Sequence, residues 1–86
     1  MDQLKAFRDQ IDQIDNKIIR LLFERFELVK EIGDLKKQNN IEVLQSNRWD
    51  EVLSSKKTIA KDLWLSDELI DILWNAIHDY ALKLQK

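Results

Sequence analysis

The apolar residues of the chain form a stripe that begins almost at its first residue. Leu4, Phe7, Ile11, Ile14, Ile18, Leu21, Leu28, Ile32 and Leu35 follow one another at helical spacing. Arg25 stands where the step from Leu21 to Leu28 would place another apolar side chain. Steps alternating between three and four residues make a heptad seam on one helix, here from about Asp2 to Gln38. A neighbouring row, seven apart, reads Arg8, Asp15, Leu22, Val29, Lys36, so Arg8 and Lys36 lie beside the seam at opposite ends. The pattern stops in the polar stretch Lys37 to Val43, a linker whose Asn39 and Asn40 tolerate turn conformations.

A second helix is expected from near Ser46, which can cap it. Its stripe is Trp49, Val52, Leu53, Ile59, Ala60 and Leu63, with Lys56 and Lys57 snorkelling from mid-helix. Ser66 then caps a third helix, with Asp67 and Glu68 in a first turn whose dipole favours acids. The third stripe is Leu69, Ile70, Leu73, Trp74, Ile77, Tyr80, Ala81 and Leu84. One Gly and no Pro leave little to interrupt these helices. The pattern predicts an all-α chain of three helices, a single domain over residues 1–86.

The first helix is too long for such a domain. At helical rise it spans about 55 Å. A globule of this chain length has a radius of gyration of about 12 Å, hence a diameter of about 30 Å. Two shorter helices cannot cover that rod, and its projecting apolar surface needs another chain. A helical-bundle homodimer is the expected architecture.

Composition narrows the partners. Lys and Arg number 14 against 16 Asp and Glu, a net charge of -2. That argues against nucleic acid, whose binders carry a net basic surface. There is no Cys, hence no disulfide framework and no thiolate nucleophile or metal ligand. The polar N-terminus (Met1, Asp2, Gln3) has no signal-peptide pattern, and no apolar run approaches the length of a membrane span. A cytoplasmic protein without metal or cofactor is expected. Asp9, Asp12 and Asp15 read as a solvated helix face, since hard cations need several converging oxygens.

Arg25 poses the chemical question. A guanidinium buried in a seam requires an anion. One candidate is a carboxylate of a partner chain that sets register in a coiled coil. The other is a ligand, because bundle cores commonly hold small sites. Lys36 lies about 16 Å further along the same helix and can lean back to bracket a small dianion. Arg48, at the start of the second helix, can converge on it. Arg8 is about 25 Å from Arg25 and reaches the same site only from a second, antiparallel chain.

These residues carry a resemblance. "FRDQIDQIDNKIIRLLFERFELVKEIGDLKK", the "RWDEVL" of the second helix and the terminal "LIDILWNAIHDYALKLQ" resemble the all-helical chorismate mutase family, over about Leu4 to Gln85 without insertions. The resemblance implies an intertwined homodimer of three-helix chains with two sites, each drawing on both chains. It implies rearrangement of chorismate to prephenate on the way to phenylalanine and tyrosine. By position, Arg25 matches the carboxylate-binding Arg of the first helix, and Arg8 the Arg reaching over from the partner chain. Lys36 matches the Lys at the ether oxygen and a carboxylate, Arg48 the second-helix Arg, and Gln85 the Gln that donates to the ether oxygen.

Three substrate-binding positions depart from the family pattern. Trp49 stands where a Glu commonly accepts from the ring hydroxyl, Gln45 where Asp is frequent, and Ala81 where a Ser helps bind a carboxylate. Loss of the Glu keeps open an isochorismate-pyruvate lyase on the same fold and, more remotely, an aminated chorismate analogue as substrate. Trp49 also suits a core aromatic, and Gln45 can act as an acceptor. A catalytically silent dimerisation module would have no use for Arg8, Arg25, Lys36, Arg48 and Gln85 together. His78, the lone His, reads as a surface or hydrogen-bonded residue, and Trp64 and Trp74 as core or dimer-contact aromatics. Gly33 inside the first helix reads as a close approach of another helix.

Overall fold

A computed structural model describes residues 2–85; Met1 and Lys86, the ends of the expected 1–86 domain, lie outside them. Three helices make up the fold: α1 (Asp2–Gln38), α2 (Ser46–Asp62) and α3 (Asp67–Gln85), with no strand among the described residues. The heptad spacing therefore marked the true extent of α1. The Ser66 hydroxyl accepts from the Leu69 N–H at 3.1 Å, which caps α3 as its sequence requires. The start of α2 differs from expectation. Its N-cap is Gln45, extended at φ -122° and ψ 98°, with no side-chain cap bond. The Gln45 carbonyl takes the first helical bond, from Trp49 N–H at 3.1 Å, so Ser46 is already inside the helix.

Both interhelix turns close α-helices in the same way. Ile41 N–H reaches back to the Lys36 carbonyl (2.8 Å) and Asn40 N–H to Lys37 (3.4 Å). Leu65 N–H reaches the Ala60 carbonyl (2.9 Å) and Trp64 N–H reaches Lys61 (3.2 Å). These are Schellman ends, which need one left-handed residue after the cap. Asn40 (φ 54°) and Trp64 (φ 61°) fill that place. Asn does so readily; a bulky Trp does so against steric resistance.

α3 is the centre of the fold. It runs parallel to the C-terminal half of α1, where Phe26 meets Tyr80 and Gly33 meets Gln85, and antiparallel to α2, where Trp49 meets His78 and Lys57 meets Asp71; α1 and α2 do not pack on each other. Its C-terminal end presses on α1 at Gly33, where an added Cβ would stand 3.0 Å from the Cα of Gln85, so the close approach read from Gly33 is real. Phe26 and Tyr80 meet with ring centroids 4.7 Å apart and planes at 57°. On the other side Lys57 pairs with Asp71 at 2.8 Å.

The face of α1 used within the chain is not the seam read from the sequence. α3 covers the adjacent row: Leu22, Phe26, Val29, Gly33 and Lys36 are buried or half-buried. The seam residues Leu21 (61% exposed), Leu28 (60%), Ile32 and Leu35 remain exposed. N-terminal to Leu22 every described residue of α1 is exposed. Trp64 is 94% exposed, so it is not a core aromatic of this chain, whereas Trp74 is half-buried. Among the described residues no large side chain is completely buried. The radius of gyration is 16.4 Å, against about 12 Å for a compact chain of this length. The accessible surface is 7319 Å², against about 5,400 Å² for a compact monomer of this mass.

Candidate functional site

Where α3 meets α1 and the start of α2, the three helices enclose a cavity of about 360 Å³. From α1 it is lined by Arg25, Val29, Ile32 and Lys36, residues three and four apart that share one face. The linker adds Val43 and Gln45, and α2 adds Arg48, Trp49 and Val52. α3 contributes His78, Ala81, Leu82 and Gln85. Among the described residues that line it three side chains are cationic and none is acidic, so the cavity suits an anion. Among the described residues no group of three or more His, Cys, Asp or Glu converges as a metal site.

Arg25 is the most strained member electrostatically. Its Nη1 is buried and has no hydrogen-bond partner. Burial, and secondly the positive charge of Arg48, lower its pKa from the ordinary guanidinium value. No carboxylate of the described chain pairs with it. Arg48 is held only loosely, by Glu51 at 3.6 Å on the exposed surface, an arrangement worth little. Both guanidinium forks are therefore available to an incoming carboxylate, which they match bidentately.

Lys36 and Gln85 form the fixed end of the cavity. The Lys36 ammonium donates to Gln85 Oε1 at 2.7 Å and to the Val43 carbonyl at 2.7 Å. An ammonium has no acceptor, so the Gln85 oxygen must face it and the amide Nε2 must point elsewhere. That Nε2 meets only the Ala81 carbonyl, at 3.5 Å, while Gln85 itself is 8% exposed. One proton of Lys36 and the weakly engaged Gln85 amide thus remain available to donate at this end of the cavity.

The structure brings together seven of the eight residues singled out from the sequence: Arg25, Lys36, Gln45, Arg48, Trp49, Ala81 and Gln85. Arg8 stays apart, on the exposed N-terminal half of α1, as helical rise requires. Tyr80 packs on Phe26 and does not line the cavity. His78 corrects its sequence reading. It is half-buried, lines the cavity and stacks on Trp49, with centroids 4.0 Å apart and planes at 17°. Such a stack adds about 0.5–1.5 kcal/mol beyond area burial. The signal was present, since His78 lies seven residues before Gln85 and so shares its helix face.

Comparison with known proteins agrees with this chemistry. A family model described as chorismate mutase type II matches residues 7–86. The chain is 32% identical to a bifunctional chorismate mutase/prephenate dehydratase of Aquifex aeolicus, over 100% of the chain and 25% of that relative. It is 35% identical to a T-protein of Enterobacter agglomerans, over 80% of the chain and 18% of that relative. A chorismate mutase of Methanocaldococcus jannaschii is 26% identical over 100% of the chain and 87% of its own length. The chain thus spans a quarter or less of the first two relatives and most of the third.

Proposed function

The chain belongs to the chorismate mutase type II family, and we propose that it converts chorismate to prephenate in the cavity between its helices. The observation that carries this reading is the buried, unpartnered Nη1 of Arg25 in a cavity that also holds Lys36, Arg48 and Gln85 and no acid. Chorismate carries two carboxylates and an ether oxygen joining its enolpyruvyl group to the ring. In a 3,3-sigmatropic rearrangement the ether C–O bond breaks as a C–C bond forms between the enolpyruvyl methylene and the ring. All electrons and atoms come from the substrate. The protein has two tasks: to hold the compact, chair-like conformer, and to stabilise negative charge growing on the ether oxygen.

Arg25 and Arg48 take the carboxylates, which fixes the conformer. Lys36 and the Nε2 of Gln85 donate to the ether oxygen, and their mutual bond sets them in place before the substrate arrives. This preorganisation matters because donors already aimed need not reorient during the reaction.

A homodimer completes the proposal. The surface in excess of a compact monomer is about 1,900 Å². That exceeds the roughly 800 Å² per partner of a standard interface. The exposed apolar seam of α1, packed against a second α1, would account for it, and would bring Arg8 of one copy to the cavity of the other. No described helix is long and apolar enough to cross a membrane. We place the enzyme in the cytoplasm, as its cysteine-free sequence suits a reducing compartment.

The test is a substrate comparison. Purified protein is incubated separately with chorismate and isochorismate, and products are identified by NMR and mass spectrometry. Prephenate from chorismate is expected. Salicylate and pyruvate from isochorismate, with no prephenate, would replace this reading by a lyase.

A further inference from the structure

Among the polar groups of the cavity that the chemistry above leaves unused is His78. It faces the cavity with its imidazole stacked on the Trp49 indole. Among the described residues no group hydrogen-bonds that imidazole; the side-chain bonds of the cavity join Lys36, Val43, Ala81 and Gln85. Stacking engages the face of an imidazole, whereas its N–H and lone pair lie in the ring plane. The indole therefore fixes the plane of the ring and leaves its edge free.

A substrate of the proposed class also carries a ring hydroxyl. Once taken from water that hydroxyl needs a partner. The strongest acceptor would be a carboxylate, and no Asp or Glu lines the cavity. Three neutral candidates remain. The Trp49 indole only donates. Gln45 is exposed at the N-cap of α2 and must order a flexible side chain to turn inward. His78 is half-buried and already held. A neutral imidazole has one donor and one acceptor nitrogen, so it can match a hydroxyl in either sense.

We propose that the edge of His78 hydrogen-bonds the ring hydroxyl of the substrate and is a specificity-determining group, with Trp49 as the positioning residue that sets its plane. The proposal rests on the mutase reading above and adds to it the recognition of an uncharged ring substituent. It requires that His78 matter only when the hydroxyl is present.

The experiment compares chorismate with an analogue in which hydrogen replaces the ring hydroxyl, by kcat/KM, for wild type, His78→Phe, His78→Gln and Trp49→Leu. His78→Phe keeps an aromatic ring against Trp49 and removes only the polar edge. The ratio of kcat/KM for chorismate to that for the analogue is expected to fall about tenfold in His78→Phe, the effect of one lost hydrogen bond. His78→Gln restores part of that ratio, and Trp49→Leu lowers it by about threefold through loss of ring positioning. An unchanged ratio in His78→Phe, with both substrates losing equally, overturns the assignment of His78 alone. A wild-type chain that makes no prephenate overturns the mutase reading and this assignment with it.

Discussion

The two halves of α1 carry the same kind of sequence and meet different fates. From Leu22 to Gln38 a row of side chains lies under α3, and Val29 and Gly33 are buried. From Asp2 to Leu21 an equally regular set, including Phe7, Ile11, Ile14 and Ile18, is bare. In the covered half apolar side chains surround an unpaired guanidinium and build a site. The bare half carries Arg8, the one candidate residue that cannot reach the cavity of its own chain. We expect one helix to do two jobs, and a heptad pattern cannot say which half does which. The covered half should respond to mutation through catalysis, and the bare half through assembly.

The largest effect is expected at Arg25. Arg25→Ala should lower kcat/KM for chorismate by about 10³-fold, because truncating a buried charged hydrogen bond costs about 2–5 kcal/mol. Thermal stability should hold or rise, since an unpaired, partly buried charge is removed. Circular dichroism and steady-state kinetics on the same preparation check both. A variant that loses its fold along with its activity would make Arg25 structural and erase the distinction between the halves.

The next effect belongs to the bare half. Ile14 is 55% exposed in the single chain. If nothing covers it, Ile14→Asp would change stability by no more than about 0.5 kcal/mol, as exposed substitutions do. We expect instead a loss of about 2–4 kcal/mol and a shift from dimer to monomer in sedimentation equilibrium, because the Asp would be buried between chains. Activity should fall in parallel as Arg8 leaves the neighbouring site. A wild-type protein that sediments as a monomer at micromolar concentration would refute the dimer directly.

What the sequence made legible follows the same division. Helix bounds were readable because spacing and the Ser66 cap are local properties. Gly33 was readable because a lone Gly inside a helix has few other reasons to be there. The covered row of α1 was not, since two adjacent rows, through Leu21 and Leu22, are both apolar enough to pack, and only the position of α3 chooses between them. His78 was overlooked because an imidazole serves equally on a surface and in a cavity; its register with Gln85 on α3 was the available clue. Trp64 read as a core or dimer-contact aromatic, and within the single chain it is not core. Its place after the end of α2 is set by backbone hydrogen bonding, which composition does not report.

Gly33 offers a smaller and more local perturbation within the covered half. A Cβ there would lie 3.0 Å from Gln85 Cα and 3.1 Å from Gln85 Cγ. Ala gains about 1 kcal/mol of helix propensity over Gly. Overpacking costs typically 1–3 kcal/mol, because the nearest atom is backbone and α3 must move as a unit. Gly33→Ala should therefore cost about 1 kcal/mol net, while kcat falls about tenfold as Gln85 shifts away from Lys36. A tenfold rise in KM at constant kcat would instead place Gln85 in substrate binding alone.

The smallest effect is expected at the two Schellman ends, and it tests whether the bare surface extends to the α2–α3 turn. Holding an L-residue left-handed costs about 1–2 kcal/mol, and Asn escapes most of that through local hydrogen bonding. Gly removes the cost and returns about 0.5–1 kcal/mol as unfolded-chain entropy. Asn40→Gly should therefore be close to neutral. Trp64→Gly should stabilise by about 0.5–1 kcal/mol, a rise in Tm of about 2–8 °C for a domain of this size. Activity should be unaffected, because Trp64 lies outside the cavity lining. The sign is the informative part. A Trp that is 94% exposed in the chain contributes little packing to be lost. If Trp64→Gly destabilised the protein and weakened the dimer, the indole would be seated against the second chain, and the surface covered on assembly would reach beyond α1 to the turn after α2.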